Sequence, residues 1–131
     1  MTRPPVLAAA AVLGAIALAG CGTPPHYTLD KTRSCLKSAG ATVAAPKDDF
    51  VASTATGGAF RAEIGGPLGN AVTISFGSSD ADARQTADGY VRFHAKNVGV
   101  YDILSVDKNA VLLWKQHPTD SERTTVTGCL K

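Results

Sequence analysis

The sequence predicts an α+β domain: a four-stranded antiparallel or mixed sheet with helices packed on it, in the order α-β-β-α-β-β-α. Three observations lead there. Two stretches alternate apolar and polar side chains with the period of a strand. Three others repeat apolar residues at helical spacing. Glycine, proline and asparagine fall between them, where turns are needed.

Residues 29–39 form the first predicted helix. Thr32, Cys35, Leu36 and Ala39 recur at i, i+3, i+4 and i+7, one narrow apolar stripe, with Lys31, Arg33 and Lys37 outward. Gly40 stands where a glycine stops a helix. Residues 41–58 are poor in large apolar side chains. Phe50-Val51 suggests a short strand, and Pro46-Lys47-Asp48-Asp49 reads as a loop.

Residues 58–76 read as a hairpin. Phe60, Ala62 and Ile64 alternate with Arg61 and Glu63, and Val72, Ile74 and Phe76 alternate with Thr73 and Ser75. One face is apolar and the other polar. Gly65-Gly66-Pro67-Leu68-Gly69-Asn70 supplies the turn. Residues 79–98 are the strongest helix, with Ser79 as cap and Asp80 and Asp82 at its positive end. Ala83, Ala87, Tyr90, Val91 and His94 make its inward stripe, and Gly99 ends it. Residues 101–115 read as a second hairpin turning at Asp107-Lys108-Asn109. Its second strand, Ala110 to Trp114, is apolar on both faces and is therefore expected to be central and covered twice. Thr119-Asp120-Ser121-Glu122 is a capping box, and the helix after it points Val126, Cys129 and Leu130 inward.

The N-terminus reads as an address. Arg3 precedes fourteen residues, Val6 to Ala19, without a charged or polar side chain. As a helix they would extend about 21 Å, short of the roughly 30 Å of a bilayer's hydrocarbon core. That length suits the apolar part of a signal peptide. The stretch ends Leu18-Ala19-Gly20-Cys21, which resembles the lipobox of bacterial lipoproteins. The resemblance implies cleavage after residue 20 and a diacylglyceryl group on the Cys21 thiol. It also implies export, with the bilayer as partner through acylated Cys21 on the outer face of the cell membrane. Two or three acyl chains give stable anchoring where one is marginal. An uncleaved N-terminal helix, or ordinary secretion, is the alternative. Residues 21–28 then form a lipidated cysteine with a short spacer, and residues 29–131 a single domain.

The chain has three cysteines. With Cys21 lipidated, Cys35 and Cys129 remain as a pair in an oxidising compartment, which adds one disulfide to the predicted fold. Two reduced, buried cysteines are the other reading. The layout of the mature part also resembles small lipoproteins and secreted proteins of actinobacteria. That resemblance rests on Cys35-Leu36 before Gly40, on Asn109 to Trp114 and on Gly128-Cys129-Leu130. It carries no catalytic residue with it.

Composition limits the function classes. Loss of Arg3 with the leader leaves twelve cations against eleven carboxylates, a net charge of +1. No basic stripe for nucleic acid is present. No HExxH, Gly-x-Ser-x-Gly or P-loop spacing occurs, and no cofactor or metal is expected. Three residues are weak binding candidates. His94 lies in the apolar helix stripe and acts as a base only if a carboxylate orients it. A hydrogen-bonded core histidine is its plainer reading. His117 is a loop residue near Trp114, and Trp114 is either a binding platform or core. His26 is expected in solvent.

The sequence therefore points to a non-enzymatic envelope lipoprotein that binds another envelope component. Two alternatives stand beside it. One is a carrier or sensor of a small apolar ligand, with residues 41–58 over a pocket lined by Phe60, Trp114 and the helix. The other is a hydrolase built on His94 or His117.

Overall fold

The structure, a computed structural model, describes residues 26–94 and 99–131, with only the backbone of His94. Cys21, the leader and the last four residues of the predicted 79–98 helix lie outside the described residues.

Ten elements follow one another: α1 (Leu29–Ser38), β1 (Thr42–Ala44), α2 (Phe50–Ser53), β2 (Ala59–Ile64), β3 (Asn70–Phe76), α3 (Asp80–His94), α4 (Val100–Ile103), β4 (Leu104–Asp107), β5 (Ala110–Trp114) and α5 (Asp120–Cys129). The strands form one fully antiparallel sheet in the order β1-β2-β3-β5-β4. The α+β class and both expected hairpins are present. The sheet has five strands, however, not four. Thr42–Ala44 is only three residues long and lies on the edge, too short for alternation to show. Phe50-Val51 is helical instead of extended: Asp49 accepts a hydrogen bond from the Ala52 N–H and starts α2. The second hairpin begins at Leu104, because residues 100–103 make the single turn of α4.

Strand pleating sends alternate residues to two opposite cores. Val72, Ile74 and Phe76 of β3 meet Phe60 and Ala62 of β2 and Leu112 and Trp114 of β5, under α1 and α5. Leu36, Val126 and Leu130 complete that layer. On the other face Val111, Leu104 and Leu113 pack under Ala83, Ala87 and Tyr90 of α3 and Val51 of α2. β5 is thus central and covered twice, as its sequence requires. Every residue of β3 is buried, so its polar face is not a solvent face. Thr73 and Ser75 lie beneath the α2 and α3 side.

The ends of the domain are fastened to each other. Cys35 and Cys129 form a disulfide that joins α1 to α5. Beside it the Thr28 N–H donates to the Lys131 carbonyl at 2.7 Å, and the Lys131 N–H donates to Thr32 Oγ1 at 3.3 Å. At α5 the Thr119 side chain accepts from the Glu122 N–H, and the Glu122 carboxylate accepts from the Thr119 N–H. A second clamp lies at the β4–β5 turn. Buried Asn109 accepts the Tyr27 N–H at 2.8 Å and donates to the carbonyls of Tyr27 and Gly77 at 2.9 and 3.0 Å. Gly77 donates to the Asn109 carbonyl at 2.7 Å. Lys108 holds the left-handed turn with φ 51°, its ammonium 4.9 Å from the centre of the Tyr27 ring.

Two outcomes test this account. Asn109→Asp replaces the donor facing two carbonyls with an oxygen and should cost about 2–3 kcal/mol in urea unfolding, the scale of a buried group left unpaired. For α5, the backbone of Thr119 and the side chain of Asn70 hold the Glu122 carboxyl below its ordinary value of 4.5. Its contribution is complete above pH 4.5 and fades as pH falls through the lowered folded value. A pH series of thermal melts should show wild type above Glu122→Gln at pH 7, with the gap closing toward pH 3.

Candidate functional site

α3 covers only part of its side of the sheet. Beside it a groove of about 580 Å³ runs over the face that sequence alternation marks as polar. Arg61 of β2, Thr73 of β3 and Leu113 of β5 line it, and Lys115 follows at the end of β5. Register sets these neighbours side by side: Arg61 pairs with Thr73, and Thr73 with Leu113. The 46–51 segment makes one wall, with Lys47 and Asp48 exposed on it. Phe93 of α3 and Phe50 of α2 stand at the lip, 65% and 69% exposed. Their rings meet edge to face, 6.0 Å between centres.

The wall is held by a polar network below it. Asp49 uses Oδ1 to cap α2 and Oδ2 to accept the Tyr90 hydroxyl at 2.8 Å. Burial pushes the Tyr90 phenol well above its usual range. The nearby Ser75 hydroxyl pulls the other way, while the Asp49 charge adds to the rise. The phenol therefore stays protonated and keeps donating. Gly89 sits opposite Val51, and a Cβ there would come within 3.2 Å of the Val51 side chain. This explains a glycine inside α3, where it otherwise costs about 1 kcal/mol against alanine: it lets α2 approach closely.

Among the described residues the groove's cations have no ion-pair partner. The ion pairs among the described residues are Arg33 with Asp30 at 2.7 Å on α1, and His26 with Asp80 at 3.3 Å when the imidazole is protonated. Neither pair includes Lys47, Arg61 or Lys115. Glu63 follows Arg61 on the same face of β2, beyond ion-pair distance and outside the groove lining.

The residues singled out in the sequence do not assemble into one centre. Trp114 is buried in the α1/α5 core at 3% exposure and reaches the groove only at its edge. Phe60 belongs to that same core, on the opposite face from the groove. The segment 41–58 does border a cavity, but through residues 46–51 and on this other face. His117 is exposed beyond β5, with no carboxylate in ion-pair range among the described residues. The His94 side chain lies outside the described residues, as does Cys21. His26 is only partly exposed and faces Asp80, not open solvent. Among the described residues no cluster of three His, Cys, Asp or Glu could hold a metal ion, and no helix is long and apolar enough to cross a membrane.

The groove residues Arg61, Phe50, Phe93 and Lys115 carry no motif. A signal for Arg61 exists in hindsight: it is the one cation in a strand whose neighbours on both sides are buried. No protein-family model, curated protein or solved structure matches the chain.

If Tyr90 and Asp49 hold the groove wall, Tyr90→Phe should cost about 1–2 kcal/mol, since it strips a partner from the Asp49 carboxylate. Hydrogen exchange at residues 50–53 should rise while exchange in β3 stays slow. Unchanged exchange across α2 would remove the network from this role.

Proposed function

We propose that this chain is a lipid-anchored, non-enzymatic binding module of a bacterial cell envelope, and that the groove between α2, α3 and the sheet is its binding surface. The groove itself carries the reading. Its volume falls within the few hundred to one thousand Å³ usual for small-molecule sites. Two aromatic rings left largely in water at its lip cost hydration free energy unless something covers them.

The chemistry of the lining supports binding over catalysis. It offers apolar contact, three cations, two carboxylates and the single hydroxyl of Thr73, with no histidine, cysteine or serine. A hydrolase would need a nucleophile and a base together. The volume also favours the carrier form of the reading, in which the bound component is a small molecule.

The anchor fits the geometry of the domain. The described chain enters at the β4–β5 turn, where Asn109 holds both backbone groups of Tyr27. Six Cα-to-Cα steps separate Tyr27 from Cys21. Fully extended they span about 20 Å, so an acylated Cys21 would keep the domain close to the lipid surface. The side chains of Tyr27 and Leu29 pack against the α1/α5 core, on the face away from the groove. The described chain thus enters on the face opposite the proposed binding surface. A disulfide between Cys35 and Cys129 is compatible with an exported location.

Mass spectrometry of the membrane fraction tests the reading. The wild-type chain should begin at Cys21 and carry acyl chains on it. Cys21→Ala should lose the lipid, and membrane retention should fall by about tenfold or more, given how little one domain surface contributes without acyl chains. Retention equal to wild type would argue for an uncleaved helix.

A further inference from the structure

We infer that the groove takes a small amphipathic anion, a molecule with an apolar body and one carboxylate or phosphate end, and that Arg61 holds that end. This deepens the proposed function and rests on the groove being the binding surface.

The argument begins with Arg61. It is half-buried on β2, between Ala44 of β1 and Thr73 of β3. A guanidinium keeps its charge at any working pH, so partial burial without a partner is unfavourable. Cross-strand neighbours usually relieve such a charge. Here both are neutral, and no carboxylate among the described residues lies in ion-pair range. Lys47 and Lys115 add two more cations to the same lining.

Two carboxylates also line the groove. Asp49 is committed through both oxygens, to the Ala52 N–H and the Tyr90 hydroxyl, which face α2 and α3. Asp48 is exposed on the loop in a left-handed conformation, with φ 60°. The lining thus holds three cations against two carboxylates, and of its two half-buried charges Asp49 has hydrogen-bond partners whereas Arg61 has no ion-pair partner among the described residues. A planar guanidinium binds a carboxylate or phosphate through two parallel hydrogen bonds. The Thr73 hydroxyl, directly across from Arg61, offers a third polar contact.

Apolar surface lies beyond this polar end. Leu113 and Val51 continue the lining, and the Phe50–Phe93 pair closes the far side. A simple anion would leave those surfaces in water. A neutral apolar molecule would leave Arg61 unpaired. An amphipathic anion satisfies both ends.

The full chain in phosphatidylcholine nanodiscs provides the test. Two diazirine photoprobes share one twelve-carbon chain and differ only in ending as carboxylate or alcohol. Each is crosslinked, and labelled peptides are mapped and normalised to labelled nanodisc lipid. The carboxylate probe should label the peptides holding Phe50, Phe93 and Leu113 about fivefold or more above the alcohol probe, as a charge-assisted bidentate contact requires. Arg61→Gln should bring it down to the alcohol's level, while Arg33→Gln on the opposite face leaves the ratio unchanged. Phe93→Ala, at an exposed position that does not disturb the core, should lower groove labelling by both probes about threefold or more. Equal labelling by the two probes, a ratio that survives Arg61→Gln, or full labelling of Phe93→Ala would overturn the inference. The same spectra report lipid on Cys21. Lipid present without charge preference removes the amphipathic anion alone, whereas groove labelling without lipid removes the anchor alone.

Discussion

The covalent closure of α1 onto α5 is the constraint on which the remaining architecture depends. Cys35 and Cys129 lie 94 residues apart, so their bond encloses nearly the whole domain in one loop. By chain entropy such a loop destabilises the unfolded state by about 4–5 kcal/mol, a figure that depends on the entropic model. A domain of this size has a modest core, and that increment is a large part of a typical total. The bond also fixes two short helices as one lid over the face bearing Phe60, Ile74 and Leu112. Neither helix would be stable alone at ten residues. Because one face is sealed this way, the opposite face needs less cover. α3 and the single turn of α2 leave part of it open as the groove.

The second face carries an unusual load of polar groups for a sheet interior. Thr73 and Ser75 are buried there. Polar burial is tolerable only where partners exist. The buried Tyr90 hydroxyl donates to Asp49, and Asp49 in turn caps the first turn of α2. The same interaction that pairs the buried phenol also holds the helix that carries the Phe50 ring. Stability and the shape of the groove are therefore coupled at one phenol.

Much of the frame was readable from the chain itself, and the reasons differ from place to place. Alternation in residues 59–64 and 70–76 gave the central hairpin because those strands are long enough for period two to appear. Ala110 to Trp114 announced a doubly covered strand through its lack of alternation. The capping box at Thr119 and Glu122 rests on local chemistry, which sequence states directly, whereas the pairing of Cys35 with Cys129 followed only from setting Cys21 aside. β1 escaped because three edge residues with one inward side chain, Val43, hold no period. α2 escaped because Phe50 and Val51 favour strands by propensity, while the Asp49 cap and the Gly89 gap decide otherwise. The groove escaped most completely. Its residues come from β2, β3, β5, α2 and α3, and only register brings them together. The sequence reading favoured histidines and the tryptophan, residues of high chemical interest, whereas the exposed phenylalanines and an unpartnered arginine needed the fold to become visible.

An open patch beside α3 need not imply a ligand, since incomplete cover of a sheet is also what a small domain with few helices produces. Two features argue against plain incompleteness. An uncovered sheet face in water would be expected to carry polar side chains over its whole width, yet here Leu113 is part of the lining and two phenylalanines project at the rim. A surface selected only for solubility would also pair its half-buried arginine with a neighbour, and position 63 on the same strand already carries a carboxylate that stays outside ion-pair range. Apolar rim, polar floor and unpaired cation act in one direction. Each lowers the stability of the empty domain slightly, and each would be offset by the same kind of molecule.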